Sequence, residues 1–239
     1  MQRSCLLDFL PIELLHNLFA YFVTNEVLFS FSDVSEYLNG AVLSYVTRHP
    51  NFKSIRRSFF DVICCHLIPE QVISLTLSDN DDTPAQSELF FSRFSFEQFT
   101  QLRSLALINI EFQTLQDILS NLHQLERLRS LSFDDESSIY RYPDTIDRTY
   151  VNLLEVYSLV VPQLTRLHLN SGAVLISIPA PYLTHLKLDQ CSLRKLERIF
   201  QNAPELKSLN VCLDNVALVY GQHLQCNQLT RLDLRIESK

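Results

Sequence analysis

The sequence predicts an α/β chain. It begins with an N-terminal three-helix unit and continues as an irregular array of strand-and-helix repeats, whose short strands form a parallel sheet on one concave face. Three observations carry this prediction. An apolar-x-x-apolar-x-apolar pattern recurs seven times, leucine makes up about one residue in six, and the residues before Pro50 instead place apolar side chains at helical spacing.

The elements follow in chain order. Residues 6–49 form the helical unit, residues 50–71 a bridge, and residues 72–239 the array. Leu14, Leu15, Leu18, Phe19 and Phe22 recur at helical spacing, with Pro11 suited to the first helical turn. Asn25 is expected to cap a second helix and Glu26 to favour its positive end, with Val27, Leu28, Phe31, Val34 and Leu38 marking its course. A third short helix is expected over Ala41 to Val46, and a helical bridge over Phe52 to Leu67. Three helices this small can hardly bury their own apolar surface.

In the array the anchors are Val72/Leu75/Leu77, Leu102/Leu105/Leu107, Leu128/Leu131/Phe133, Leu164/Leu167/Leu169, Leu183/Leu186/Leu188, Leu206/Leu209/Val211 and Leu229/Leu232/Leu234. Their first members are spaced by 30, 26, 36, 19, 23 and 23 residues. Pro162, Pro181 and Pro204 each stand two places before an anchor, where a residue without an N–H separates the preceding segment from a new strand. Between strands the period turns helical, in Leu115, Ile118, Leu119 and Leu122 and again in Leu193, Leu196, Ile199 and Phe200. One such unit cannot bury its apolar face, so stacked neighbours share a core. The long interval from Asp134 to Val161 is expected to hold an extra helix, Tyr150 to Leu159, and a loop around Pro143. The last strand ends close to Lys239 with no visible cap, which leaves both a truncated chain and a capping partner open.

Composition narrows the function. Only Gly40, Gly172 and Gly221 are glycines, and they lie far apart, so the glycine-rich loops that cradle phosphates are excluded. A net charge of -7 argues against nucleic acid or an anionic membrane as the main partner and leaves proteins. The apolar stretch from Cys5 to Val23 is interrupted by Asp8, Glu13, His16 and Asn17, no Asn-x-Ser/Thr sequon occurs, and the six cysteines show no paired framework. The expected compartment is the cytosol, the nucleus or both.

Chemistry-bearing motifs are sparse. Asp79 to Asp82 has a calcium-loop flavour, but Pro84 stands where such a loop needs glycine and Phe90 where it needs glutamate. Cys64, Cys65 and His66 are adjacent on an expected helix, point apart, and have no second cluster to complete a zinc site. Phe90, Phe91, Phe94, Phe96 and Phe99 read as core packing before the second repeat. No nucleophile elbow, zinc-protease helix or paired catalytic motif is present. No enzyme activity, metal or cofactor is expected.

The repeats resemble leucine-rich-repeat proteins. Leu183 to Leu196 is similar to their cysteine-containing variety, with Cys191 at the Asn/Cys position, while Asn80, Ile110, Gly172 and Asp214 mark repeats that depart from it. The N-terminal unit resembles an F-box: Leu10-Pro11-Ile12-Glu13-Leu14-Leu15, then Leu18 to Phe22, Val27-Leu28 and Val34, with Tyr37 near the place where the family usually carries tryptophan. The resemblance implies a substrate-receptor subunit of a cullin-based ubiquitin ligase. Its F-box would dock on a Skp-type adaptor, and through it a cullin, by Leu10, Pro11, Glu13, Leu14, Leu18, Phe19, Phe22, Leu28 and Val34.

Alternation places the residues beside each central anchor on the open face. The first three strands present mostly Ser, leading into the acidic runs Asp79 to Asp82 and Asp134 to Glu136. The later strands present Arg166, His168, Asn170, His185, Lys187, Asp189, Asn210, Arg231, Asp233 and Arg235, the expected substrate surface, suited to a protein with an acidic segment. An ordinary solvated face is the plainer reading of the same residues. The alternative function is a leucine-rich-repeat scaffold without ligase recruitment, its helices only capping the array.

Overall fold

A computed structural model describes residues 5–80, 84–134, 157–214 and 228–237. It is α/β, and the chain divides into two units, Met1–Leu102 and Arg103–Lys239. The expected helix over Tyr150 to Leu159 falls largely outside the described residues, as do Pro143 and the acidic Asp135 and Glu136.

The first unit contains α1 (Ile12–Phe19), α2 (Thr24–Phe31), α3 (Glu36–Arg48), α4 (Arg57–His66), strand β1 (Ser74–Ser78) and α5 (Gln86–Phe91). Pro11 is the residue just before α1 rather than part of its first turn. The start of α2 also differs from expectation. Val23 occupies the cap position and its N–H donates to Glu26 Oε2 at 3.1 Å, while Asn25 is drawn away, donating to the Ser54 carbonyl at 2.7 Å. The expected long second helix is two helices. Asp33 adopts a left-handed φ of 63°, steadied by its N–H donating to Asn39 Oδ1 at 2.7 Å, and Ser35 Oγ caps α3 by accepting from Leu38 N–H at 3.1 Å. Leu38 therefore belongs to the third helix, and α3 is longer than Ala41 to Val46 suggested.

The boundary between units lies well beyond residue 72, and the hydrogen bonds explain why. Ile73 N–H donates to the Arg48 carbonyl at 2.8 Å, Thr76 N–H to that of Pro50 at 2.9 Å, and Phe52 N–H to that of Thr76 at 3.0 Å. These bonds tie β1 to the end of α3. Phe52, Phe60, Phe90 and Phe99, all buried, then join the helices and β1 in one aromatic core, with ring centroids 4.8 Å apart for Phe52 and Phe60 and 5.7 Å for Phe52 and Phe90. Phe90, Phe96 and Phe99 of the phenylalanine stripe are buried, and Phe91 and Phe94 pack half-buried against them. Asp61 on α4 accepts from Arg57 at 3.1 Å and Arg93 at 2.9 Å, closing the outside of this cluster.

The second unit contains β2 (Ser104–Ile108), α6 (Phe112–Asn121), β3 (Ser130–Asp134), β4 (Arg166–Ser171), β5 (His185–Cys191), α7 (Leu193–Asn202), β6 (Ser208–Asp214) and β7 (Arg231–Glu237). All six strands are parallel and neighbour one another in chain order. A repeated turn starts them. The N–H of Leu128, Leu164, Leu183 and Leu206 donates to the carbonyl three residues back, and Pro162, Pro181 and Pro204 sit just inside the last three of these turns, where a fixed φ suits the bend. Threonines brace the stack. The hydroxyls of Thr165, Thr184 and Thr230 donate to the carbonyls of Arg129, Thr165 and Lys207 in the preceding strand segment.

Leu105, Leu107, Leu131, Phe133, Leu167, Leu169, Leu186, Leu188, Leu209 and Val211 are buried at the expected anchors, and Leu115, Ile118, Leu119, Leu196 and Ile199 bury the matching helix faces. Gly172 fits under α7, where a Cβ would come within 2.9 Å of Ile199 Cδ1 and 3.1 Å of Leu188 Cδ1. The last repeat breaks the rule: Leu232 and Leu234 were expected inside and are exposed, because no described element covers β7.

Candidate functional site

Each unit presents one surface built from the residues the sequence singled out. In the first, a 3-10 turn at Leu6–Phe9 leads through Leu10 and Pro11 into α1. Its position is fixed by two bonds from the start of α3: Ser35 Oγ donates to Asp8, and Tyr37 Oη donates to the Leu10 carbonyl at 2.8 Å. The amphipathic period of α1 turns Leu15 and Phe19 inward and leaves Glu13 and Leu14 outward, Leu14 with 51% of its surface exposed. Phe22 and Val34 are also exposed, Pro11 is exposed, and Leu10, Leu18 and Leu28 are half-buried.

Phe19 is a correction to the expected docking set. It is 0% exposed, with its ring 5.0 Å from that of Phe31 and 5.6 Å from that of Tyr45, so it holds the unit together and is not offered to a partner. Leu6, Phe9, Tyr21, Val23, Phe29 and Tyr37, by contrast, are exposed apolar side chains outside the expected set. Their signal was the apolar excess around the motif, which exceeds what one helix face can bury.

Behind this surface lies an aromatic-histidine cluster. The His16 and Tyr45 rings are 5.6 Å apart and the Tyr45 and His49 rings 5.2 Å apart. Burial pushes the His16 imidazole below its ordinary pKa; burial does the same to His49, helped by the nearby His16 and Arg48 charges. On α4 Cys64 is buried and its thiol pushed up to about 12 by burial, whereas Cys65 and His66 are exposed, so Cys64 is turned away from the other two. Among the described residues no group of three metal-ligating side chains comes together. Asp79, from the run resembling a calcium loop, accepts from Ser87 N–H at 2.8 Å and from the Ser87 hydroxyl.

In the second unit, strand register assembles the open face. Ser130, Arg166, His185, Ser208 and Arg231 stand level on β3 to β7, and Ser132, His168, Lys187, Asn210 and Asp233 form the next outward row. Together they line a shallow cavity of about 290 Å³. With strands about 4.8 Å apart, Arg166 and Arg231 lie about 14 Å from each other along the row. Neither has an acidic partner among the described residues, while Lys187 pairs with Asp189 at 3.2 Å. Asp233 accepts from Asn210 at 3.2 Å, and His185 meets the Thr184 hydroxyl at 2.9 Å. Asn170, Asp189 and Arg235 lie outside the cavity lining.

Register also brings together groups that no linear motif announced. Ser132 Oγ lies 2.9 Å from His168 Nδ1, and His168 Nε2 lies 2.9 Å from Asp189 Oδ2. A hydroxyl, an imidazole and a carboxylate in line are the parts of an activated nucleophile. The backbone N–H groups beside Ser132 run in the plane of the sheet, however, and do not converge on its hydroxyl to receive an oxyanion. The line orders polar side chains across three strands. Ser130, Ser132 and Ser208 are site residues that the emphasis on charge passed over, although strand alternation alone puts them on this face.

Comparisons with known proteins add no relative: no protein-family model matches the chain, and no curated protein matches it. No helix among the described residues is long and apolar enough to cross a membrane.

Proposed function

We propose that this chain is the substrate-recognition subunit of a cullin-type ubiquitin ligase, working in the cytosol, the nucleus or both. In this reading the helical unit is an F-box that docks on a Skp-type adaptor, and the strand array is an irregular leucine-rich-repeat solenoid that holds the substrate. The chain itself does no chemistry and accelerates transfer by proximity. The observation that carries the reading is the apolar surface of the first unit. Leu14, Phe22 and Val34, which the F-box resemblance assigns to the adaptor, are exposed, and Phe9 and Tyr37 extend the same apolar character. Such a surface gains most when another protein covers it.

The substrate would lie on the open face of the second unit. Arg166, His185, Lys187 and Arg231 favour an acidic segment laid across the strands, and the serine hydroxyls and Asn210 supply hydrogen bonds along it. Co-expression with a Skp-type adaptor tests the central step. Wild-type chain should co-purify with the adaptor, and Leu10→Asp or Leu14→Asp should abolish capture while leaving the circular dichroism unchanged. A folded wild type that captures no adaptor contradicts the proposal.

One observation favours a second reading. The bonds from β1 to Arg48, Pro50 and Phe52 build the helices into the same core as the first strand, which is what a cap of the array requires. A scaffold capped in this way would bind its protein partner through the open face and leave Leu14→Asp without effect.

A further inference from the structure

Strand β7 differs from its neighbours in a way that specifies a partner. Leu232, Leu234 and Ile236 are 55%, 45% and 60% exposed, although they stand level with Leu209, Val211 and Leu213 on β6, which are 1%, 0% and 4% exposed. Among the described residues no strand lies on the far side of β7, so it presents an open edge as well as a bare apolar row. An open edge is a template for another strand.

The sequence of β7, Arg231-Leu232-Asp233-Leu234-Arg235-Ile236-Glu237, is complementary to its own reverse. We propose that β7 pairs with β7 of a second copy of this chain, antiparallel, about a two-fold axis at Leu234. That register sets Arg231 opposite Glu237 and Asp233 opposite Arg235 on one face, twice each by symmetry. On the other face it sets Leu232 opposite Ile236 and Leu234 opposite itself. Opposite charges and apolar side chains facing each other are what stabilise cross-strand pairs.

The alternatives are disfavoured by the same residues. Sliding the pair two residues one way sets Arg231 opposite Arg235 and Asp233 opposite Asp233. Sliding it the other way sets Asp233 opposite Glu237 and Arg235 opposite Arg235. A one-residue slip puts charges opposite apolar side chains, and parallel in-register pairing stacks like on like. Of the possible alignments only the one centred on Leu234 gives all seven residues of β7 a complementary partner, and its two-fold symmetry makes the contact closed and isologous rather than open-ended. The sheets of the two copies would run on as one, and the apolar row of β7 would gain lateral contacts with the partner's row.

Sedimentation and light scattering over a concentration series test the pairing with the full chain. Wild type should move from 27.7 kDa to twice that mass as concentration rises. Asp233→Arg alone and Arg235→Asp alone should each weaken the dimer by about tenfold or more, because symmetry makes one substitution alter two pairs. Mixing these two variants should give a heterodimer, and the double variant carrying both changes should dimerise again. Hydrogen exchange of the β7 amides in unaltered protein, slowing as concentration rises, gives a readout that needs no substitution. A folded chain that stays monomeric, a dimer that the single changes leave intact, or single variants that mixing does not rescue would each overturn the proposal.

Discussion

The two units solve opposite problems with their surfaces. The first buries an aromatic core of Phe52, Phe60, Phe90 and Phe99 and leaves leucine, valine and aromatic side chains in water. The second buries an aliphatic ladder and turns a polar face outward, apart from β7. The contrast teaches where each kind of recognition can reside. An apolar surface on small helices binds by desolvation and is indifferent to the fine pattern of charges, whereas level rows of Arg, His, Lys and Ser select by charge and hydrogen bonding.

The comparison can be broken first at the aromatic core. Phe90 lies at its centre, with the Phe52, Phe94 and Phe99 rings all within 5.8 Å. Phe90→Ala should cost about 3–5 kcal/mol, measured by chemical denaturation with a probe in the first unit. A cost below about 1 kcal/mol would mean that the rings do not form one core. In the second unit Gly172→Val should cost about 1–3 kcal/mol, since the added carbons meet Ile199, Leu188 and Cys191 under α7. Unchanged melting in that variant would show that α7 does not press on the sheet there.

Acid separates the units by a different route. His16 and His49 are held below the ordinary imidazole pKa of 6.5 in the first unit, so the unfolded chain takes up protons before the folded one does. Stability should therefore fall as pH drops from neutral through 6.5 toward the lowered values, and be restored above 6.5. Thermal melting across that range should show the loss in wild type and a smaller loss in His49→Phe. A melting temperature that does not move in this interval would contradict the lowered imidazole pKa of the pair. The smallest effect concerns Ala85, which holds a left-handed φ of 54° at the start of α5. Ala85→Gly should raise stability by about 0.5–1 kcal/mol by relieving that conformation. Destabilisation instead would place the residue in another backbone region.

Much of the fold was legible because a parallel strand with one buried face writes its period directly into the chain. The anchors from Leu105 to Val211 and the turns at Pro162, Pro181 and Pro204 are local signals, and the structure places them as the pattern implied. What escaped depends on distant partners. Asn25 has the chemistry of a cap, yet Ser54 claims its side chain. Phe19 carries the same apolar signal as Leu14, and packing against Phe31 and Tyr45 fixes which face of α1 is buried. The bonds from the first strand to Arg48, Pro50 and Phe52 have no local signal in the chain. Leu232 and Leu234 match every other anchor in sequence, yet they are exposed, with no element among the described residues over them. The hydrogen-bonded line of Ser132, His168 and Asp189 needed the strand register to appear at all.

The most direct test asks whether the two surfaces act separately. Adaptor and candidate-substrate capture would be measured side by side for Leu14→Asp and for the triple variant Arg166→Glu, Lys187→Glu, Arg231→Glu, each checked for folding. The expected result is a crossed loss: Leu14→Asp fails to capture a Skp-type adaptor and keeps the substrate, while the triple variant keeps the adaptor and loses an acidic substrate. Adaptor capture that survives Leu14→Asp, or that disappears with the charge reversals instead, would contradict the assignment of docking to the apolar helical surface.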